Sequence, residues 1–309
     1  MAFELENEQI PGAGQRIDRY ILVEEIYVDD FVREYIAKDE TLDRLVTLKI
    51  FRHSQDYSKE FADQFVNEAR ALAQLNHPNI LRIFGYGQDK GYLFLVTEHL
   101  PGTMLEKKLG APMEWREAVE LMLPIMEALD YAHDKNIIHR DLNPGNILLT
   151  PDNVPVISNF RLSQLIEEEE TRDLTSTNVG LGSPFYMSPE QGKGEMVDYR
   201  ADIYASGVIL YELITGKKLF EAQNGMEVVI KQVTTKPVPP RKYVPDLPEA
   251  VETVLITALD KDPDKRYQSM AEFITGLTDA RDNKKTARAK PAKWLWISAA
   301  AAVVLLLGA

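Results

Sequence analysis

The hydrophobic periodicity of this chain changes character once, near residue 100, and that change constrains the fold more than any other feature. Before it, apolar and β-branched residues run in short stretches at 20–23, 31–37 and 45–51, separated by polar turns, which predicts a small antiparallel sheet. Phe61, Phe65, Ala69 and Leu72 then recur at helical spacing within 58–75, and two further strands are predicted at 80–85 and 92–98. Pro101-Gly102 marks a hinge. Beyond it, Trp115, Ala118, Met122, Ile125, Met126, Leu129 and Ala132 line one face of a long helix, and later helices fit 201–215, 249–259 and 269–280. The expected class is α+β: a short leader at 1–15, a sheet-rich first lobe at 16–100 and a mainly helical second lobe at 101–280.

Charge excludes some functions and locates another boundary. With 35 basic against 48 acidic residues the formal charge is −13, which argues against generic nucleic-acid binding, because a phosphate backbone demands a dense basic footprint. The absence of cysteine excludes disulfides, thiolate zinc sites and cysteine nucleophiles. From Arg281 to Lys293, however, six basic residues stand against one acid, and 294–309 carry no charge at all. That stretch opens with Trp294 and Trp296 and runs from Ala299 to Leu307 without a polar side chain. The pattern predicts a basic juxtamembrane linker at 281–293 and a single transmembrane helix at 294–309 in the inner or plasma membrane, with residues 1–293 cytoplasmic. Sixteen residues of helix rise about 24 Å against a hydrocarbon core of about 30 Å, so the span is short. A C-terminal helix buried in protein is the alternative. The opening residues are acidic and lack an apolar run, so no signal peptide is expected.

The order of the polar residues sharpens this outline. Lys49 ends an apolar strand, Glu68 lies on the following helix, and His139-Arg140-Asp141 precedes Asn146 in the spacing H-R-D-x-x-x-x-N. Asn159-Phe160 follows a strand, and Gly182-Ser183-Pro184-Phe185-Tyr186 leads into Ser188-Pro189-Glu190. Asp202 with Gly207, and Lys261-Asp262-Pro263 with Arg266, complete the series. Over residues 16–280 the chain resembles the bacterial membrane-anchored serine/threonine protein kinases of the Hanks type.

The resemblance implies a two-lobed protein-kinase fold and phosphoryl transfer from ATP with magnesium to a protein substrate, a chemistry that rests on positioning and charge neutralisation. It assigns Lys49 to the α- and β-phosphates, paired with Glu68, and Asp141 to the substrate hydroxyl proton. It assigns Asn146 and Asn159 to the metal, and the backbone from Glu98 to Leu100 with the side chain of Leu148 to adenine. Asn143 falls where the family has a lysine that reaches the γ-phosphate. A bland reading stands beside these: Lys49 and Glu68 could merely fix a helix to the sheet, and Asp141 and Asn146 could serve only their own loop. His139, Asp202, Glu190 and Arg266 are expected to be structural. The resemblance further implies protein partners, a homodimer, a membrane tether and an external domain beyond residue 309.

Four departures weigh against that activity. No glycine occurs between Gly14 and Gly85, so a glycine-rich phosphate loop is missing, and the family's three glycine positions hold Tyr27, Asp29 and Val32. Their side chains are expected to obstruct the approach of phosphate, and Asp29 and Asp30 to repel it. Asn159 replaces the family's metal-binding aspartate and Arg161 its glycine, and a neutral amide brings no charge to magnesium. Asn143 removes a positive charge. Glu34 and Thr47 replace an apolar valine and alanine over the adenine position, where an unpaired carboxylate is costly to bury. ATP and magnesium binding are both expected to be weakened. The reading that follows is a pseudokinase acting by protein binding; the alternatives are a divergent but working serine/threonine kinase, and a docking module that binds no nucleotide. Within the family's activation segment, 159–190, Glu167 to Glu170 would supply fixed negative charge beside Thr171, Thr175, Ser176 and Thr177; a merely solvated acidic loop is the alternative reading.

Overall fold

The computed structural model describes residues 11–28, 32–51, 59–89, 91–160 and 183–283. Strands β1 (Arg16–Ile17), β2 (Tyr20–Val28), β3 (Val32–Asp39) and β4 (Arg44–Phe51) form an antiparallel meander. Helix α1 (Lys59–Leu72) then leads to β5 (Ile83–Asp89) and β6 (Tyr92–Glu98). The six strands lie in the order β1-β2-β3-β4-β6-β5. Alternation along β6 divides two cores: Tyr92, Phe94 and Val96 pack with Leu22, Tyr35 and Leu48, whereas Leu93 and Leu95 face Phe65, Ala69 and Leu72 of α1. Pairing of β3 with β4 is unbroken from Val32 opposite Phe51 to Asp39 opposite Arg44, and it sets Glu34 directly across from Lys49.

The second lobe begins with β7 (Thr103–Met104), which joins β8 (Ile147–Leu149) and β9 (Pro155–Ile157) in a three-stranded sheet. Its helices are α2 (Trp115–His133), the short α3 (Pro189–Gly192), α4 (Arg200–Thr215), α5 (Gly225–Thr234), α6 (Glu249–Ala258) and α7 (Met270–Arg281). All seven apolar residues predicted to share one face of α2 are buried, and the Glu114 carboxylate caps its start by accepting from the N–H groups of Arg116 and Glu117. Every residue of α4 from Ala201 to Thr215 is buried, as befits a helix at the centre of a lobe. That helix stops at Gly216, whose φ of 65° is left-handed and where a Cβ would lie 2.6 Å from the nitrogen of Pro112. The lobes are stitched together by backbone: Ile157 N–H donates to Asn79 C=O and Leu81 N–H to Ile157 C=O, both at 2.8 Å.

Two sequence expectations shift. The strand predicted from residue 80 starts at Ile83, because Ile80 is committed to a bridge with Ile157 of the other lobe. Helix α5 was not foreseen, although its start is legible: Asn224 accepts from the N–H of Glu227 and caps it. The basic linker and apolar run continue past residue 283 into residues outside those described; among the described residues no helix is long and apolar enough to cross a membrane.

Glu190 and Arg266 behave as expected of structural residues. The buried Arg266 guanidinium donates to both carboxylate oxygens of Glu190, at 2.8 and 2.6 Å, and also to the carbonyls of Arg200 and Asp260. Breaking one side of such a pair strands a buried charge. Glu190→Gln is therefore expected to lower unfolding free energy by roughly 3–5 kcal/mol. Urea denaturation checks this, and a loss below about 1 kcal/mol would show that the pair is solvated.

Candidate active site

The loop from His139 to Asn146 is positioned by α4. The Asp202 carboxylate accepts from the backbone N–H groups of His139 and Arg140, both at 2.9 Å, and lies 2.7 Å from His133 Nε2. Burial would raise the Asp202 pKa, but the bonds from His133 and the backbone outweigh it and hold the carboxyl below its ordinary value. Two donated bonds at successive residues turn the chain sharply enough that Arg140 takes a left-handed φ of 66°. His139 fixes the far side, with Nε2 3.0 Å from the carbonyl of Ser158 and its ring against Phe160.

From this loop a continuous hydrogen-bonded chain crosses the cleft. Lys49 Nζ lies 3.1 Å from Glu34 Oε1 and donates to Asn159 Oδ1 at 3.0 Å. Asn159 Nδ2 donates to Asn146 Oδ1 at 3.0 Å, and Asn146 Nδ2 donates to Asp141 Oδ2 at 3.0 Å and to the Asp141 carbonyl at 2.8 Å. Its polarity is dictated from one end. An ammonium only donates, so Asn159 must turn its oxygen to Lys49 and its NH₂ to Asn146; Asn146 must then accept through Oδ1 and face Asp141 with its own NH₂. Both amide oxygens expected to ligate a metal are thus engaged by N–H donors. Asn159 reaches this position through a left-handed φ of 57°, which asparagine tolerates well.

The other expected site residues are placed as follows. Asn143 is absorbed by its own loop: Oδ1 accepts from the N–H of Gly145 and Nδ2 donates to the carbonyl of Asp141. Leu148, Glu98 and Leu100 line a cleft of 330 Å³ between the lobes, together with Ile26, Lys49 and Asn159. Glu68 lines a different cavity with Lys135, Asn136 and Arg140, and Lys49 forms an ion pair with Glu34. The expectation of an unpaired carboxylate at Glu34 is therefore wrong, because strand register hands it the lysine as a neighbour. Thr47 is also partnered, its Oγ1 lying 3.2 Å from Nδ1 of His99, a cleft residue that the sequence did not single out. Of the side chains expected to obstruct the phosphate position, Val32 is only 6% exposed and belongs to the core, while Tyr27 is 50% exposed and does not line the cleft. Asp29, Asp30, Arg161 and the segment 161–182, with its four glutamates and hydroxyls, lie outside the described residues.

A sequence model of the protein kinase domain matches residues 30–275. The chain belongs to the protein kinase domain family. It is 33% identical over 268 residues to a probable serine/threonine-protein kinase, CA_C1728, of Clostridium acetobutylicum, covering 86% of this chain and 40% of that one. It is 32% identical over 272 residues to the serine/threonine-protein kinase PrkC of Bacillus subtilis, covering 87% and 42%. The chain thus spans about two-fifths of the length of these relatives. Among solved structures, the kinase domain of PknI from Mycobacterium tuberculosis superposes with a TM-score of 0.68 at 24% identity, over 88% of this chain and 100% of that one, a likeness of fold.

The family uses ATP with magnesium, so the residues present can be tested against the ion. They do not fit it. Magnesium prefers carboxylate oxygens in a tight octahedron, whereas the two candidate ligands here are neutral amides whose oxygens face N–H donors. Asp141, the one carboxylate of the chain's far end, is held in place by Asn146, and burial pushes its carboxyl up from the ordinary value; His139 and hydrogen bonds from Asn143, Asn146 and the Ser183 backbone offset this only in part. A raised folded pKa means that the charged form burdens the fold. The burden is absent below the unfolded carboxylate pKa of about 3.9, grows as pH rises toward the folded value and is full above it. Asp141→Asn is accordingly expected to melt higher than wild type at pH 7–8, with the gap closing as pH falls toward 4, a pattern that thermal melts across pH would read. A gap independent of pH would refute it.

Proposed function

We propose that this chain is a serine/threonine kinase-fold signalling module whose output is protein binding, with phosphoryl transfer absent or weak. The observation that carries the proposal is the amide chain: Asn159 and Asn146 spend on Lys49 and on each other the oxygens that a transfer site offers to a metal. The family's lysine position near the γ-phosphate is filled by Asn143, which closes its own turn. Removing a single element of preorganised electrostatic stabilisation commonly costs about a hundredfold in rate, and such losses compound imperfectly when residues act together. The basic run at 281–293 and the apolar run at 294–309 support a tether at the membrane, with the kinase-like lobes on its cytoplasmic face. A homodimer and a protein partner held there complete the proposed arrangement.

One observation favours a second reading, a divergent working kinase: Asp141 keeps its carboxylate oriented by Asn146 at 3.0 Å, and Lys49 stands in the same connected network. Incubation with ATP and magnesium or manganese, read by mass spectrometry, separates the two. The proposal expects no phosphate incorporation above an Asp141→Asn control; incorporation that the control abolishes would establish the enzyme instead.

The amide chain also predicts how to reopen the metal site. Asn159→Asp removes the NH₂ that faces the Asn146 oxygen and sets an anionic oxygen beside it, while Asn146 keeps its own NH₂ on Asp141. A thermal shift with ATP should then become magnesium-dependent by several degrees, where the wild-type response is indifferent to the metal. An unchanged response in the variant would show that the carboxylate alone does not govern the site.

A further inference from the structure

Lys261, just beyond the end of α6, is a partly buried lysine that no acid holds. Lys38, Lys193, Lys218 and Lys265 each lie within ion-pair distance of a carboxylate. Among the described residues Lys261 makes no such pair, although it is partly buried. Its Nζ donates instead to the hydroxyl of Tyr204 on α4, at 2.9 Å, and lies 4.5 Å from the ring centre of Phe220 and 5.3 Å from that of Tyr204.

The charged groups that face this amine do little to hold its proton. The Arg266 guanidinium lies over the same Tyr204 ring, 4.9 Å from its centre, so two cations share one ring. Glu190, the countercharge of Arg266, has both oxygens bonded by that guanidinium. The field of Asp260 favours the ammonium, but its Oδ1 accepts from the N–H of Asp262. Tyr204 brings no negative charge, because burial pushes its phenol up and keeps it protonated. The direction of its bonds is fixed as well. Gln232 Nε2 donates to the carbonyl of Phe185 at 2.7 Å, which turns Oε1 toward Tyr204; the phenol gives its one proton to that oxygen and accepts from Lys261. Burial first, and then the charge of Arg266, push the Lys261 amine down to about 7, and Asp260 offsets this only in part. A neutral amine still donates N–H, so the contact with Tyr204 survives loss of the proton.

We propose that Lys261 is a modification site: a nucleophilic amine, set between two aromatic rings and beside a second cation, that takes up an activated acyl group from an acyl phosphate or an acyl thioester. Desolvation and a neighbouring cation are the two ways in which a lysine is made nucleophilic near neutral pH, and both act here. The lone pair of the neutral amine attacks the acyl carbon and a C–N bond forms. The bond from that carbon to the phosphate oxygen or thioester sulfur breaks with its electron pair, and the nitrogen releases one proton to water or to the leaving group. The amide product cannot become an ammonium, so the modification leaves Arg266 as the single cation of the pair over Tyr204.

Incubation of the full chain with acetyl phosphate, and separately with acetyl-coenzyme A, from about pH 6 to about pH 10, read residue by residue by mass spectrometry, tests the proposal. Lys265 is the internal reference, since it is exposed, paired with Asp262 at 3.0 Å and raised in pKa by that pairing. At pH 7 an ordinary lysine is neutral in about one molecule in 2,500, whereas an amine titrating near 7 is neutral in about half. Burial slows access, so the expected advantage is smaller: Lys261 should be acetylated at least about tenfold faster than Lys265 at pH 7 by one donor or both, and the donor that works identifies the source. Its rate should level off above about pH 8 while that of Lys265 keeps climbing, and the preference should vanish when the chain is unfolded in urea. Modification no faster than that of Lys265 with either donor, a rate that climbs in parallel with Lys265, or a preference that persists in the unfolded chain would each overturn the proposal.

Discussion

The buried carboxylate of Asp202 is the constraint on which the candidate site depends. It lies on a helix that is buried along nearly its whole length, and it holds two successive backbone N–H groups of the loop that carries Asp141 and Asn146. A carboxylate in such a place is costly unless its oxygens are saturated, and the His139, Arg140 and His133 donors saturate them. The left-handed turn at Arg140 and the placing of His139 under Ser158 follow from that anchorage, and they set Asn146, on the same loop, against Asn159.

What this frame presents is a kinase-like cleft with its polar groups turned toward each other. Glu34, Lys49, Asn159, Asn146 and Asp141 form one chain with a carboxylate at each end and a single ammonium near one of them. Two neutral amides carry the polarity across. The substitution at 159 is the decisive one, because an asparagine that must accept from lysine on one side has only donors left for the other. The neutral amide at 159 thereby also engages the oxygen of a second side chain, Asn146.

Membership of the protein kinase domain family says what the frame is, and the identities near one-third with bacterial serine/threonine kinases say which branch it resembles. Neither addresses the cleft's contents, since the positions at issue are few and the frame tolerates them. Val32 illustrates this: its side chain is buried in the core and does not enter the cleft.

The sequence by itself determined the architecture. Alternation along 92–98, the helical spacing of the seven apolar residues from Trp115 to Ala132 and the spaced polar motifs each reflect a short-range rule, period two, period 3.6 or loop geometry, that needs no knowledge of neighbours. It also exposed the missing glycines and the asparagine at 159. Only the tertiary structure decided what those substitutions do. Glu34 was legible as a carboxylate in an apolar position, but that it faces Lys49 depends on the register of two strands; Asn159 was legible as a weak ligand, but the direction of its amide depends on a lysine 110 residues away. Hydrogen-bond polarity is passed from partner to partner through space, and a linear reading cannot tell which groups will meet.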